Sequence, residues 1–134
     1  MIAASRAAQA YRRVESESRS PLELVVMLYD GALRFLGEAA DAAARGDLRA
    51  RSHAVSRVLA IVAELQNTLD LEKGGAVADQ LDDLYTYITS RLIDVALKKD
   101  VTAIDEARKL LTPVRDAWAH IAGSQSAIQS VGAP

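Results

Sequence analysis

The side chains able to carry chemistry are few and scattered. The chain has two histidines, His53 and His120. Asp116 and His120 stand four apart, on one face of a helix, and could supply two metal ligands. Two ligands do not make a site. A carboxylate-bridged metal centre in a helical bundle draws a Glu-x-x-His repeat from each of two helices, and the sequence contains none. Asp79, Asp82 and Asp83 lie close enough in sequence for paired acid–base work. Their place at the start of a helix makes them complements of its dipole instead. Cysteine is absent, so the chain has no thiol nucleophile, thiolate ligand or disulfide. There is no Gly-x-Ser-x-Gly elbow, and Gly74-Gly75 lacks the lysine that a phosphate loop requires. These residues point to no catalytic centre, no metal and no cofactor, and both histidines are expected in solvent.

The elements that carry these residues are helices. With 134 residues, 50% of them hydrophobic and 25% charged, the chain suits one folded domain. Sixteen basic and eighteen acidic side chains give a net charge of −2, without the basic excess of a nucleic-acid binder. No apolar run reaches the length of a transmembrane helix, so no membrane insertion is expected. The first residues lack a signal-peptide apolar core. The missing cysteines are compatible with a reducing cytoplasm and do not establish it. Residues 1–19 read as a mobile arm, 20–122 as a helical bundle, and 123–134, rich in Gly, Ser, Gln and Ala, as a disordered tail.

Four segments have the helical repeat. The first opens with Ser20 as N-cap, Pro21 at the first helical position and Glu23 completing a capping box, and stops at Gly46. It carries two adjacent apolar rows, one through Val26, Tyr29, Leu33 and Leu36, the other through Leu28, Ala32, Phe35 and Ala39. Gly31 and Gly37 lie inside it, where each costs about 1 kcal/mol relative to Ala. Close approach of a neighbouring helix would explain them. The second helix is capped by Asp47 and runs to about Leu69, with the seam Leu48, Val55, Val58, Val62, Leu65, Leu69. The third spans about Ala76 to Lys99, with the seam Val77, Leu81, Leu84, Ile88, Leu92, Val95. The fourth is capped by Asp100 and runs to about Ala122, with the seam Ile104, Ala107, Leu111, Val114, Trp118, Ile121. Pro113 lies within it and predicts a kink or a break. No segment alternates with period two. The fold class is all-α, and the short links make it an antiparallel up-down-up-down four-helix bundle.

Some apolar residues stand on polar rows. Met27 shares a row with Glu23, Asp30 and Arg34; Ile61 with Arg57, Glu64 and Thr68; Tyr87 with Gln80, Asp83 and Asp94. All three are expected to be partly exposed. If they join into one patch, it suits a protein partner.

The run Ser20 to Leu36, with Met27-Leu28-Tyr29-Asp30-Gly31-Ala32 followed by Phe35-Leu36, resembles the flagellar secretion chaperone FliS family. The resemblance continues through Leu69-Asp70, Gly74-Gly75, Leu84-Tyr85, Tyr87, Arg91-Leu92 and Lys98-Lys99-Asp100 to Arg115-Asp116-Ala117-Trp118. It covers about residues 11–122. It implies a helical bundle that binds the disordered C-terminal region of flagellin in apolar interhelical grooves in the bacterial cytoplasm. Such a protein prevents premature polymerisation and assists delivery to a component of the flagellar export gate. It also implies that the segment before the first helix folds over part of that surface, with Tyr11 and Val14 at the matching apolar positions. On this reading the client-binding residues are Tyr11, Val14, Leu24, Met27, Ile61, Tyr85 and Tyr87, on a monomer or weak homodimer. The alternative is a structural homo-oligomeric or adaptor bundle with no secretion client, its broad first helix buried against its own copy.

Overall fold

A computed structural model describes residues 20–132, with side chains described through Ser124. Four helices follow one another: α1 (Pro21–Ala44), α2 (Leu48–Asn67), α3 (Gly75–Leu97) and α4 (Thr102–Gly132). The described residues contain no strand. α1 packs on α2 and α4, and α3 packs on the same two, so the helices form a closed square ring. The register across each side is antiparallel. Gly31 meets Ile61 on α2, Gln66 reaches Asp82 on α3, Arg91 reaches Glu106 on α4, and Arg115 returns to Asp30 on α1.

The helix ends follow from local chemistry. The Ser20 Oγ accepts from the Glu23 N–H at 3.1 Å, with Pro21 behind it. The far end of α1 is a Schellman closure: Gly46 N–H donates to Ala43 O at 3.1 Å and Asp47 N–H to Ala42 O at 2.9 Å. Gly46 sits at φ +73°, a conformation that a side chain would strain. Asp47 at once opens α2, its Oδ1 accepting from the Ala50 N–H at 3.0 Å. α2 ends slightly before the expected Leu69, because the Thr68 hydroxyl donates to the Leu65 carbonyl at 2.7 Å. In the next turn a Cβ on Gly74 would lie 2.5 Å from the Ala78 Cβ and 2.7 Å from the Asp70 carbonyl oxygen, so only glycine fits. Asp100 accepts from both the backbone N–H and the hydroxyl of Thr102 and starts α4 as expected.

The core consists of small and branched residues around two tyrosines. Tyr29, Ala32, Leu36 and Ala39 of α1 meet Val58, Val62 and Leu65 of α2, Ile88, Leu92 and Val95 of α3, and Ile104, Ala107 and Leu111 of α4. The Tyr29 and Tyr85 hydroxyls hydrogen-bond across the bundle at 2.5 Å, their ring centroids 6.5 Å apart. Burial disfavours the phenolates and pushes both groups above the ordinary tyrosine pKa. The Trp118 indole N–H lies beside this pair. It is close enough to favour a Tyr29 phenolate, yet outside hydrogen-bonding geometry, and so it is buried without a partner.

Several expectations need correction. Leu48, Val77 and Ile121 stand on their seams in sequence but are 60%, 61% and 43% exposed. Leu48 and Val77 fall in the first turns of their helices, where no neighbouring helix covers them. On α4 the burial moves from Ile121 to Ala122. That helix runs unbroken through Pro113, so the break does not occur. It continues to Gly132, where the sequence suggests an end near Ala122 and a disordered tail. Gly31 has the close approach expected of it, the Ile61 Cδ1 lying 3.3 Å from where a Cβ would stand, whereas Gly37 has nothing within 4 Å.

Candidate functional site

The residues able to do chemistry stay apart. His53 and His120 are exposed on different helices, and no group of three or more potential metal ligands forms among the described residues. Asp82 accepts from the Gln66 amide at 2.8 Å, and Asp79 and Asp83 face solvent.

The expected binding residues divide among three places. Leu24, Met27 and Gly31 share one face of α1 by the helical repeat, and Gly31 faces Ile61. This is the α1–α2 side of the ring, where Met27 is 48% exposed and Ile61 half-buried. Tyr87 lies on the opposite side, between α3 and α4. Its ring is 47% exposed and its hydroxyl donates to Glu106 Oε1 at 2.8 Å. The same carboxylate accepts from Arg91 Nε at 2.9 Å, and Arg91 Nη1 reaches Asp100 at 3.0 Å and Asp94 at 3.3 Å. The Thr102 hydroxyl first and the Arg91 guanidinium second hold Asp100 below the usual carboxylate range, and Arg91 followed by the Tyr87 hydroxyl does the same for Glu106. Tyr85 is only 2% exposed and belongs to the core, where its partner is Tyr29. Tyr11 and Val14 lie outside the described residues. Met27, Ile61 and Tyr87 are partly exposed as expected, but they do not form one patch.

Apolar grooves open on the bundle instead, two of them against α3. One, of about 230 Å³, lies at the end where α1 and α3 begin, with Val25, Leu65, Leu69, Leu81, Tyr85 and Trp118 in its wall. The other, of about 190 Å³, runs between α2 and α3 past Val55, Leu59, Leu92, Ile93, Ala96 and Leu97. Ile93 is 42% and Leu97 76% exposed. Sequence reasoning missed this second groove. Ile93 and Leu97 form an i, i+4 pair beside the α3 seam, and that pair was the available signal.

A helical bundle with open apolar interhelical grooves narrows the field without deciding it. The sequence as a whole does: residues 3–125 match the family described as Flagellar protein FliS. The chain belongs to the FliS family. It is 37% identical over 123 residues to the flagellar secretion chaperone FliS of Salmonella typhimurium, covering 88% of this chain and 91% of that protein. It is 36% identical to the flagellar secretion chaperone FliS of Campylobacter jejuni, covering 90% and 94%. The FliS of Bacillus subtilis, also named as a flagellar secretion chaperone, is 30% identical over 81% and 80%. These relatives are named for a chaperone role, which is not an enzymatic one. In this FliS-family chain the run Met27 to Leu36 is the α1 stretch that supplies Tyr29, Ala32 and Leu36 to the core and Gly31 to the α2 contact. Much of the family motif is therefore a packing motif. No helix is long and apolar enough to cross a membrane among the described residues.

Proposed function

We propose that this chain is a cytoplasmic flagellar secretion chaperone. It holds the C-terminal segment of flagellin in its interhelical grooves, keeps that segment from polymerising early, and presents the complex to the export gate. The observation that carries this reading is the α2–α3 groove, an apolar channel whose rim residues Ile93 and Leu97 are left in solvent on a FliS-family bundle. A segment destined for the interior of a filament must carry apolar rows, and left free it self-associates. A groove between two helices accepts such rows from a third helix. Ordering the segment costs about 2–5 kcal/mol, which favours a complex that can be released without a nucleotide cycle. Leu24, Met27 and Ile61 extend the contact along α1–α2, and Tyr87 and the arm residues Tyr11 and Val14 add apolar edges. Tyr85 acts from inside, as part of the wall of the end groove.

Calorimetric titration with a flagellin C-terminal peptide, together with light scattering, tests this reading. A 14.4 kDa species that becomes a 1:1 complex is expected. A protein that already exists as a stable oligomer and takes up no peptide favours the structural bundle.

A further inference from the structure

The α2–α3 groove contains one anomalous charge. Arg51 lies in its wall, in the first turns of α2, among Val55, Leu92 and Val95. Its Nε is buried and has no hydrogen-bond partner. Its Nη2 reaches the Val95 carbonyl at 3.5 Å, the long limit of a hydrogen bond. No carboxylate pairs with it among the described residues. The acid four positions before it on its own helix, Asp47, is turned to the Ala50 N–H and to Arg45. Asp94 on α3 is held by Arg91 and Lys98. The Val95 carbonyl accounts for one weak contact and leaves the buried Nε unanswered. A buried guanidinium N–H without an acceptor is costly, and with the partly exposed head beside it suits a partner that brings a carboxylate in bidentate geometry.

We propose that Arg51 is the charge-reading anchor of this groove. Its occupant is an amphipathic helical segment that lays an apolar stripe along Leu59, Ile93 and Leu97. An Asp or Glu side chain at the edge of that stripe lands on the Arg51 guanidinium. The proposal rests on the client-binding reading above and adds a residue-level rule for which segments fit: apolar alone is not enough, and the carboxylate must stand in register with the stripe. The apolar walls supply most of the contact, while the single charge fixes direction and position along the groove.

The test is a double-variant cycle between the full chain and a flagellin C-terminal peptide. The peptide is made in a series with each Asp changed to Asn or each Glu to Gln in turn, and once as the terminal carboxamide. Arg51→Gln and Arg51→Met are each expected to weaken binding of the unmodified peptide about tenfold. One side-chain amide peptide should show the same loss against the native chain and no further loss against the variants. Arg49→Gln, on an exposed neighbour that removes the same formal charge, should bind as the native chain does. Arg51→Met should melt no lower than the native protein, which separates a binding role from a structural one. Equal binding by the native and both Arg51 variants, losses that simply add, or a loss reproduced by the carboxamide peptide alone each overturn the proposal. If the native chain takes up no peptide at all, the client-binding reading falls first, and that result needs no variant to be seen.

Discussion

Changing Tyr85 to Phe tests the centre of the bundle. Tyr29 is 0% and Tyr85 2% exposed, and each hydroxyl has the other as its partner. Removing one oxygen leaves the second buried beside the Trp118 indole, which offers a donor and no acceptor. A stranded buried hydroxyl costs about 1–3 kcal/mol. For a chain of this size that corresponds to a fall in Tm of roughly 5–10 °C. Tyr29→Phe should behave alike. The double Phe variant removes both polar groups and should lose less than the two single changes summed, by about 1–2 kcal/mol of coupling. Urea melts of the four proteins give the cycle. The pH dependence gives a second reading. Burial raises both phenols above the ordinary tyrosine value of 10.0. Above pH 10 the unfolded chain loses protons that the folded chain keeps. Their contribution is therefore whole below pH 10 and drains away as pH climbs toward the folded values. The double Phe variant should lack that alkaline loss. Single changes that sum to the double, or an alkaline limb unchanged in the double variant, would refute the account of a mutually satisfied pair.

Leu111→Ala, at a fully buried position, should cost about 2–5 kcal/mol in urea melts, while the half-buried Leu84→Ala and exposed Met27→Ser should cost clearly less. Gly37→Ala meets open space in a helix interior and should stabilise by about 0.5–1 kcal/mol. Gly74→Ala should destabilise, since its Cβ would stand 2.5 Å from that of Ala78, and a thermal melt ranks the pair. Thr102 and Arg91 depress Asp100, and Arg91 and Tyr87 depress Glu106, so the stability they lend is present above their ordinary carboxylate values and lost as pH falls through the folded ones. In acid titrations followed by circular dichroism, Arg91→Met should flatten that acid limb.

Local signals predicted most of the fold. Ser20, Asp47 and Asp100 cap helices with contacts three or fewer residues away, and Gly46 adopts the one conformation that its position requires. Such chemistry is contained within a few residues and can be read directly. The seams held in helix centres, at Val58, Ile88 and Leu111, and failed at the tips, at Leu48, Val77 and Ile121. Periodicity says which face is apolar, not where the neighbouring helix begins. Tyr85 shows the deeper limit. It satisfies the repeat as well as Leu84 does, and what makes burial acceptable is the Tyr29 hydroxyl, 56 positions away. The binding surface was the least legible part. Exposure marked Met27, Ile61 and Tyr87 correctly but could not tell that they lie on different sides of a ring. Arg51, in a sequence with fifteen other cations, became distinct only once its surroundings were known.

The joint at Gly46-Asp47 bears on how the chain folds. The stop of one helix and the start of the next share adjacent residues, so the α1–α2 hairpin has no slack. Its closing loop is nearly as short as a chain allows, and the entropy of bringing its ends together is correspondingly small. The two helices that meet there also pack on each other at Gly31, where the Ile61 side chain lies against the bare backbone. The hairpin is thus a natural seed of assembly, with α3 and α4 condensing on a preformed pair. A single residue inserted at this joint would rotate one helix by about 100° relative to the other. It would turn the Val55–Val58 seam off the core and remove the seed before the rest of the bundle could form.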